Sequence, residues 1–563
     1  MTDQRRGDER SCEHGVSRRT FLSTGVAGGA ALIAGGFGTL LPSLASAASD
    51  AIWIEKTIPQ LQTLMTGGAV SSLELTHGYI QRIATLNPVL RAVIEVNPVA
   101  EAIAARLDAE RRRGRSRGPL HGIPILIKDN IATDDQMQTT AGSLALVNSK
   151  VPADAVVVER LRAAGAVILG KANLGEWANF RGFNPLGFYG WSARGGATHN
   201  PYLLSYSAFG SSSGSGVGPA ANLCAAAIGT ETDGSIVGPS NANLVVGLKP
   251  TLGLVSQDGI IPISHEQDTA GPMGRTVTDV AVLLGVLQSP FGSVAGHPLP
   301  SDYTQFLHPG ALNGARIGVD RRFFDDYATY GFPGDDDTLP FFQQALDTMT
   351  ALGATLVDTD TGDIFSYFAD EFTALLFEFK VHIAEYLAGL SHTNMRALSD
   401  LIAFNLRYCP AELVYYGQEL FEISDSTSGD LTDPVYVSAR ATALAAARSG
   451  IDNALAAGNL DAIVAPHLTN STAPAVAGYP NLALPIGITT AGKPAGMLMY
   501  STFLREPQLI AFAYDLEQAL NARQQPQLLG VVTDPDNAGL CGTARPPEMF
   551  KGKAHLPHGR LFL

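Results

Sequence analysis

The chain is short of positive charge. Its 563 residues hold 38 Lys and Arg against 53 Asp and Glu, a formal net charge of −15. Nucleic acid and anionic membrane both need a basic footprint, so neither is expected as a partner. Charge of either sign is thin, at 16% of residues, while 45% are hydrophobic. That balance suits a large buried core and argues against disorder. Cysteine is scarce: Cys12, Cys224, Cys409 and Cys541 are the whole set. No Cys or His spacing suggests zinc, and the only close His pair, His555 and His558, falls in a Pro/Gly-rich tail. No metal and no cofactor is expected. Phosphate-cradling loops are missing too. There is no G-x-x-x-x-G-K-S/T, and the glycine spacing does not match G-x-G-x-x-G. No internal repeat is visible.

One apolar run stands out near the start, Gly25–Leu41. It has 17 residues, six of them Gly, short and weak for a membrane span of ~20. Before it, Ser17-Arg18-Arg19-Thr20-Phe21-Leu22 resembles a twin-arginine export signal. After it, Ala45-Ser46-Ala47 is a small-residue cleavage pattern. Residues 1–47 are therefore read as a cleaved signal. The mature chain, 48–563, is expected to be exported, periplasmic or extracellular, without a membrane anchor. The signal carries five Arg against four acids, so its loss takes the net charge from −15 to −16. Cys12 leaves with it. The three cysteines that remain allow at most one disulfide. Cys224 reads as a small buried hydrophobe. Cys409 and Cys541 are candidates to pair in an oxidising compartment, although separation in sequence says nothing about distance.

The densest stretch runs from Gly210 to Thr251. Two small-residue loops, Gly210–Gly218 and Gly229–Ser240, flank an Ala-rich apolar segment, Pro219–Ile228. Gly/Ser runs are commonly linkers, but a linker joins polar flanks. Here Ala225–Ile228 precedes the second loop and Leu244–Leu248 follows it. Loops on a buried scaffold often carry function. These two would gather serines and bare N–H groups at one locus.

The stretch resembles the amidase signature family, whose pattern is roughly G-G-S-S-G-G-S, about twenty residues, T-D-x-G-G-S-I, then G-L-K-P-T. Upstream, Gly122-Ile123-Pro124-Ile125-Leu126-Ile127-Lys128-Asp129-Asn130 resembles that family's lysine strand. The likeness extends from about Ile58 to Leu283 and more loosely to about Leu520. Within the family, Thr230-Glu231-Thr232-Asp233-Gly234-Ser235-Ile236-Val237 is most similar to the peptide amidases. The resemblance implies an amidohydrolase with a Ser-Ser-Lys triad. Ser235 would be the nucleophile, Lys128 the base, and Ser211 the relay between them. The N–H groups of Thr232, Asp233, Gly234 and Ser235 would form the oxyanion hole. In the family the relay serine follows a cis peptide bond, and Gly210 stands before Ser211.

The chemistry sets its own demands. A serine hydroxyl is a weak nucleophile without a base. An unperturbed lysine, with pKa ~10.4, is neutral in about one molecule per 2,500 at pH 7. Burial lowers that pKa, and the apolar run ending at Lys128 reads as a buried strand. Asp129 would work against this, but neighbours on a strand face opposite ways. His121, His199 and His265 are read as structural. So are Lys171 and Lys249, with Lys171 opening a helix after its strand. The chain departs from the family at Glu231, Asp233, Val237 and Ala208-Phe209, changes that bear on the substrate pocket and leave the triad intact. Two other classes compete. Gly210-Ser211-Ser212-Ser213-Gly214 matches G-x-S-x-G, which would make Ser212 the nucleophile of an α/β-hydrolase-type esterase, with His467 a possible base. A non-catalytic binding protein on the same scaffold is the other.

In order, helices are expected over Thr57–Asn87, broken at Gly67-Gly68 and ended by Pro88, then Ala100–Arg113, Ala155–Ala164, Val277–Leu287 and Leu509–Leu520. Strands are expected at Ile123–Ile127, Ala166–Lys171, Gly253–Ser256, Gly259–Ile263, Ala462–Ala465, Asn481–Gly487 and Gly496–Tyr500. Gly182–Ser207 reads as a long ordered loop, and about 291–450 as a mainly helical cover that shapes substrate access. The expected fold is α/β: one large domain, a mixed β-sheet covered by helices on both faces, its core at about 121–290. The expected substrate is a small peptide amide, cleaved at its C-terminal carboxamide with release of ammonia. Other acyl or aryl amides are the alternative within the family. The sequence leaves acyl preference and oligomeric state open.

Overall fold

A computed structural model of the chain describes residues 51–184, 189–289, 291–532, 534 and 540. The export segment, residues 1–47, lies outside the described residues. So does Cys541; its candidate partner Cys409 is disulfide-bonded, and Cys224 is a free, buried thiol.

One sheet of eleven strands organises the domain. In chain order the strands are β1 (Val93–Val96), β2 (Pro124–Lys128), β3 (Val167–Ala172), β4 (Ala226–Glu231), β5 (Val246–Lys249) and β6 (Thr269–Gly274). They continue with β7 (Arg316–Val319), β8 (Thr355–Asp358), β9 (Ala462–Pro466), β10 (Asn481–Ile488) and β11 (Pro494–Tyr500). Across the sheet they lie β1-β3-β2-β4-β6-β5-β10-β11-β9-β7-β8. The sheet is mixed. β3, β2 and β4 run parallel, and so do β9, β7 and β8; the remaining pairings are antiparallel. Every residue of β2, β3 and β4 is buried, as expected of parallel strands covered on both faces. Helices flank the sheet. Among them are α1 (Ile58–Thr66), α2 (Ser72–Leu90), α3 (Ala100–Arg112), α4 (Val156–Ala163), α5 (Ser213–Ala220), α6 (Val237–Ala242) and α7 (Val277–Leu287). Capping boxes open α1 at Thr57/Gln60 and α2 at Ser71/Glu74.

Four expectations need correcting, and a fifth, the mainly helical 291–450, is extended by two short strands. Pro88 does not end its helix: α2 runs through it to Leu90, where the buried side chains of Leu86 and Leu90 hold the last turn to the core. Gly253–Ser256 and Gly259–Ile263 are turns touched by single bridges, and the strand follows them at β6. Lys171 sits inside β3 and opens no helix. The region 291–450 carries β7 and β8 in addition to its helices. The first Gly/Ser loop is in large part helix α5, despite four glycines and serines at its start. Packing overrides propensity there. A Cβ at Gly214 would lie 2.2 Å from the Ala92 carbonyl oxygen, and one at Gly216 2.8 Å from that of Pro239.

The cover is built from α8 (Phe368–Ala388), α9 (Glu419–Ser426) and α10 (Pro434–Gly458). It docks on the loop after β3 through a second apolar cluster containing Trp177, Phe180, Phe372, Phe379 and Phe421. The Phe180 and Phe379 rings meet edge to face at 5.0 Å. A fully buried ion pair, Arg181 with Glu176, lies under Tyr416, whose ring centroid is 4.1 Å from the guanidinium carbon. Arg181 also donates to the carbonyls of Glu412 and Tyr416, tying loop to cover.

Candidate active site

The parallel register of β2 and β4, Ile125 opposite Ala226 and Ile127 opposite Ile228, brings their carboxyl ends to one edge of the sheet. Ligand sites in α/β sheets lie at such edges. Lys128 ends β2, and Thr230 and Glu231 end β4.

Lys128 is fully buried. Its Nζ donates to Ser211 Oγ at 2.7 Å, to Thr230 Oγ1 at 2.8 Å and to the Thr230 carbonyl at 3.1 Å. Asn130 Nδ2 donates to the same Thr230 hydroxyl at 3.0 Å. Burial pushes the Lys128 pKa down from 10.5 to about 7, against the opposing charges of Asp268 and Glu231. Asp129 turns the other way, as strand alternation requires. It accepts from Thr140 and Gly142 and pairs with Arg194 at 3.1 Å.

The peptide bond Gly210–Ser211 is cis. A side chain at Gly210 would put its Cβ 2.3 Å from the Tyr189 carbonyl oxygen. The Ser211 N–H donates to Ser235 Oγ at 3.2 Å, and the Ser212 N–H to the Ser235 carbonyl at 3.2 Å. Lys128, Ser211 and Ser235 thus meet in one buried cluster, although 107 residues of chain separate the first from the last.

The turn Thr232–Ser235 leads from β4 into α6. Gly234 takes φ +74° there, a left-handed conformation that favours glycine. Glu231 shapes the far side of the turn. Its Oε2 accepts the N–H groups of Ile236 at 2.6 Å and Val237 at 2.9 Å, at the start of α6, and the Gly234 N–H faces the same carboxylate. Burial raises the Glu231 pKa, countered by Lys249. Asp233 also finds partners: Thr472 donates to it at 2.6 Å and Ser471 at 3.1 Å. Burial lifts its pKa to about 6.

Thr232 is held at both ends. Its hydroxyl donates to Asp268 Oδ1 at 2.6 Å, and its carbonyl accepts from Gln267 Nε2 at 3.1 Å. Asp268 also accepts the N–H groups of Ile263 and Ser264, and burial raises its pKa to about 6. A cleft lined by Asn130, Thr230, Thr232, Gln257, His265 and Asp268 opens beside the cluster. The sequence assigned no role to Thr230, Gln267 or Asp268. Thr230 lay inside the motif without a local mark, and Asp268 stands 36 residues beyond the threonine it holds.

The competing residues fall elsewhere. Ser212 Oγ donates to the Thr230 carbonyl at 3.0 Å and accepts the Thr230 N–H at 3.2 Å. This ties it to β4, and among the described residues no imidazole bonds to it. His467 is buried beside Tyr206 Oη at 3.4 Å and Asp335 at 3.8 Å. His121 bonds the Leu107 carbonyl, and His199 pairs with Asp534. Lys171 and Lys249 are as buried as Lys128, and burial lowers both to about 8. Lys171 donates to the Ile131 carbonyl and Thr139, and Lys249 to the carbonyls of Tyr479 and Pro250. Among the described residues one group, His265, His382 and Glu385, brings metal-capable atoms within 4.8 Å of one another. His382 Nδ1 already accepts the His265 backbone N–H at 3.1 Å, which leaves its ring proton on Nε2.

A sequence model of the Amidase family matches residues 74–474. A probable amidase of Arabidopsis thaliana is 38% identical over 497 residues, covering 84% of this chain and 92% of that one. The native peptide amidase of Stenotrophomonas maltophilia superposes with TM-score 0.78 at 46% identity, over 85% of this chain and 100% of that one. A peptide amidase in complex with the competitive inhibitor chymostatin superposes with TM-score 0.78 at 47% identity, over 84% and 99%. With an eleven-stranded mixed sheet flanked by helices and this breadth of likeness, the chain belongs to the amidase signature family and is an amide hydrolase.

Proposed function

We propose that the chain removes the C-terminal carboxamide of peptides as ammonia, by acyl transfer through Ser235. The carrying observation is the buried Lys128 amine, 2.7 Å from Ser211 Oγ, with the Ser211 N–H on Ser235 Oγ. A pKa of about 7 leaves half the lysine neutral at that pH. The neutral amine has two hydrogens and one lone pair. Thr230 offers two acceptors, its hydroxyl and its carbonyl, for the hydrogens. The lone pair is then left facing Ser211 Oγ.

The steps follow. Lys128 takes the Ser211 proton as Ser211 takes that of Ser235, and Ser235 Oγ attacks the amide carbon. Backbone N–H groups of the 232–235 turn receive the developing oxyanion, except that of Gly234, which faces the Glu231 carboxylate. Collapse breaks the C–N bond, and the proton returns through Ser211 to the leaving nitrogen, which departs as ammonia. Water, deprotonated by the same relay, then hydrolyses the ester on Ser235 and frees the peptide acid.

The likeness to two peptide amidase structures at 46% and 47% identity supports a peptide substrate. The cover reaches the turn through Gln267, which contacts Glu371 of α8 and Arg440 of α10. Ammonia release from a panel of peptide amides, free amino-acid amides and fatty acyl amides tests the assignment. Peptide amides should turn over fastest. Activity confined to long-chain acyl amides would overturn it.

A further inference from the structure

The turn that faces the scissile carbonyl is aimed by a residue outside it. Gln267 is buried at 1% exposure, and both ends of its side-chain amide are engaged. Its Nε2 donates one hydrogen to the Thr232 carbonyl at 3.1 Å and the other to Glu371 Oε1 at 2.7 Å. Its Oε1 accepts from Arg440 at 3.2 Å. Two acceptors at the nitrogen end and a guanidinium at the oxygen end fix which way the amide points.

The Thr232 carbonyl and the Asp233 N–H belong to one planar trans peptide unit, in which C=O and N–H point in opposite directions. Holding the oxygen therefore fixes the direction of the Asp233 N–H. The other bonds to these two residues, Thr232 Oγ1 to Asp268 and the Asp233 carboxylate to Ser471 and Thr472, act through side chains and leave the plane free to tilt. Glu371 and Arg440 belong to α8 and α10, so the grip is anchored in the cover over the site.

We propose that Gln267 is a positioning residue for the oxyanion hole: it clamps the 232–233 peptide so that the Asp233 N–H points at the developing oxyanion, and it transmits the seating of the cover to that donor. This rests on the reading of the 232–235 turn as the oxyanion hole. A donor aimed only at the transition state changes turnover and leaves ground-state binding alone. Removing a whole oxyanion donor costs ~10²–10³-fold, so mis-aiming one should cost ~10–10²-fold.

The test uses Gln267→Glu, which keeps size and the Arg440 contact but loses the donor, and Gln267→Met as a second variant. Each is checked for an unchanged melting temperature. Three quantities are measured: kcat/KM on a peptide amide, the inhibition constant of a peptide aldehyde that forms a tetrahedral adduct with a serine, and the affinity of the intact amide for each variant in a Ser235→Ala background. The inference expects kcat/KM to fall and aldehyde binding to weaken by the same ~10–10²-fold factor, with intact-amide affinity unchanged. Measured against the parent at the same pH, Gln267→Glu should recover part of its relative rate as pH falls, where a protonated carboxyl can donate again. A folded variant with unchanged kcat/KM and aldehyde binding overturns it, and so does an equal loss in ground-state affinity. Full turnover by Ser235→Ala alone would remove the underlying reading, and the inference with it.

Discussion

Replacing Lys128 by Met separates the proposed base from its scaffold. Burial moves this amine from 10.5 to about 7, ~5 kcal/mol of preference for the neutral form. The sign follows from proton counting. Between pH 7 and 10.5 the unfolded chain holds the lysine proton and the folded chain has released it, so stability rises with pH across that window. Above 10.5 the burial penalty is gone. As pH falls it grows to ~2 kcal/mol at pH 9 and ~4 kcal/mol at pH 7, and levels at ~5 kcal/mol below pH 6. Met cannot ionise and carries none of this. Its own cost is the loss of the bonds to Ser211 and Thr230, ~1–3 kcal/mol for each buried polar group left unpaired. That cost does not vary with pH. Urea unfolding of both proteins from pH 5 to 9 should show the Met variant gaining ~2–3 kcal/mol on the parent between pH 9 and 7, then running parallel below pH 6. Its activity should be lost at every pH, whereas the parent rate rises through pH 7 to a plateau. Unfolding curves separated by a constant amount from pH 5 to 9 would refute the buried neutral lysine. Activity retained in the Met variant would refute its role as base.

Three further outcomes are expected. The charges of Asp268 and Glu231 both raise the Lys128 pKa, Asp268 more strongly; Asp268→Asn should therefore move the acidic limb of the rate profile to lower pH, and Glu231→Gln should move it less. A limb that stays put, or moves upward, would contradict the electrostatics. Ser211→Ala and Ser235→Ala should each cut kcat/KM by ~10³-fold or more, and the double variant should be no worse than the poorer single, because relay members act as one unit; additive losses would break the relay. The proposed export signal predicts a mature chain that begins at Ala48, read by N-terminal sequencing of secreted material, and Arg18→Lys with Arg19→Lys should retain the chain in the cell; export undiminished by that pair would remove the twin-arginine reading.

Much of the sheet was readable because buried parallel strands advertise themselves as short apolar runs. Ile123–Ile127, Ala166–Lys171 and Ala462–Ala465 each lie within a residue or two of β2, β3 and β9. β6 escaped because Thr269-Ala270-Gly271-Pro272-Met273-Gly274 looks like a turn. Its glycines answer to neighbours instead, since a Cβ at Gly271 would lie 2.1 Å from the Leu248 carbonyl oxygen. Helix α5 escaped for the same reason. Lys128, Ser211 and Ser235 were singled out by the resemblance to the amidase signature motifs, and the folded chain brings them together. The residues around them were not. Thr230, Gln267 and Asp268 act through side-chain bonds that span 35 to 102 positions, and nothing local distinguishes them from ordinary polar residues. Asp233 looked like an intruder in the turn, and its two hydroxyl partners lie more than 200 residues away.

The most direct test of the account is where the acyl group rests. Enzyme quenched in acid during turnover of a slow peptide ester, then digested and analysed by mass spectrometry, should carry the peptidyl adduct on Ser235, and the adduct should vanish in Ser235→Ala. An adduct on Ser212, or undiminished ammonia release from peptide amides by Ser235→Ala, would contradict it.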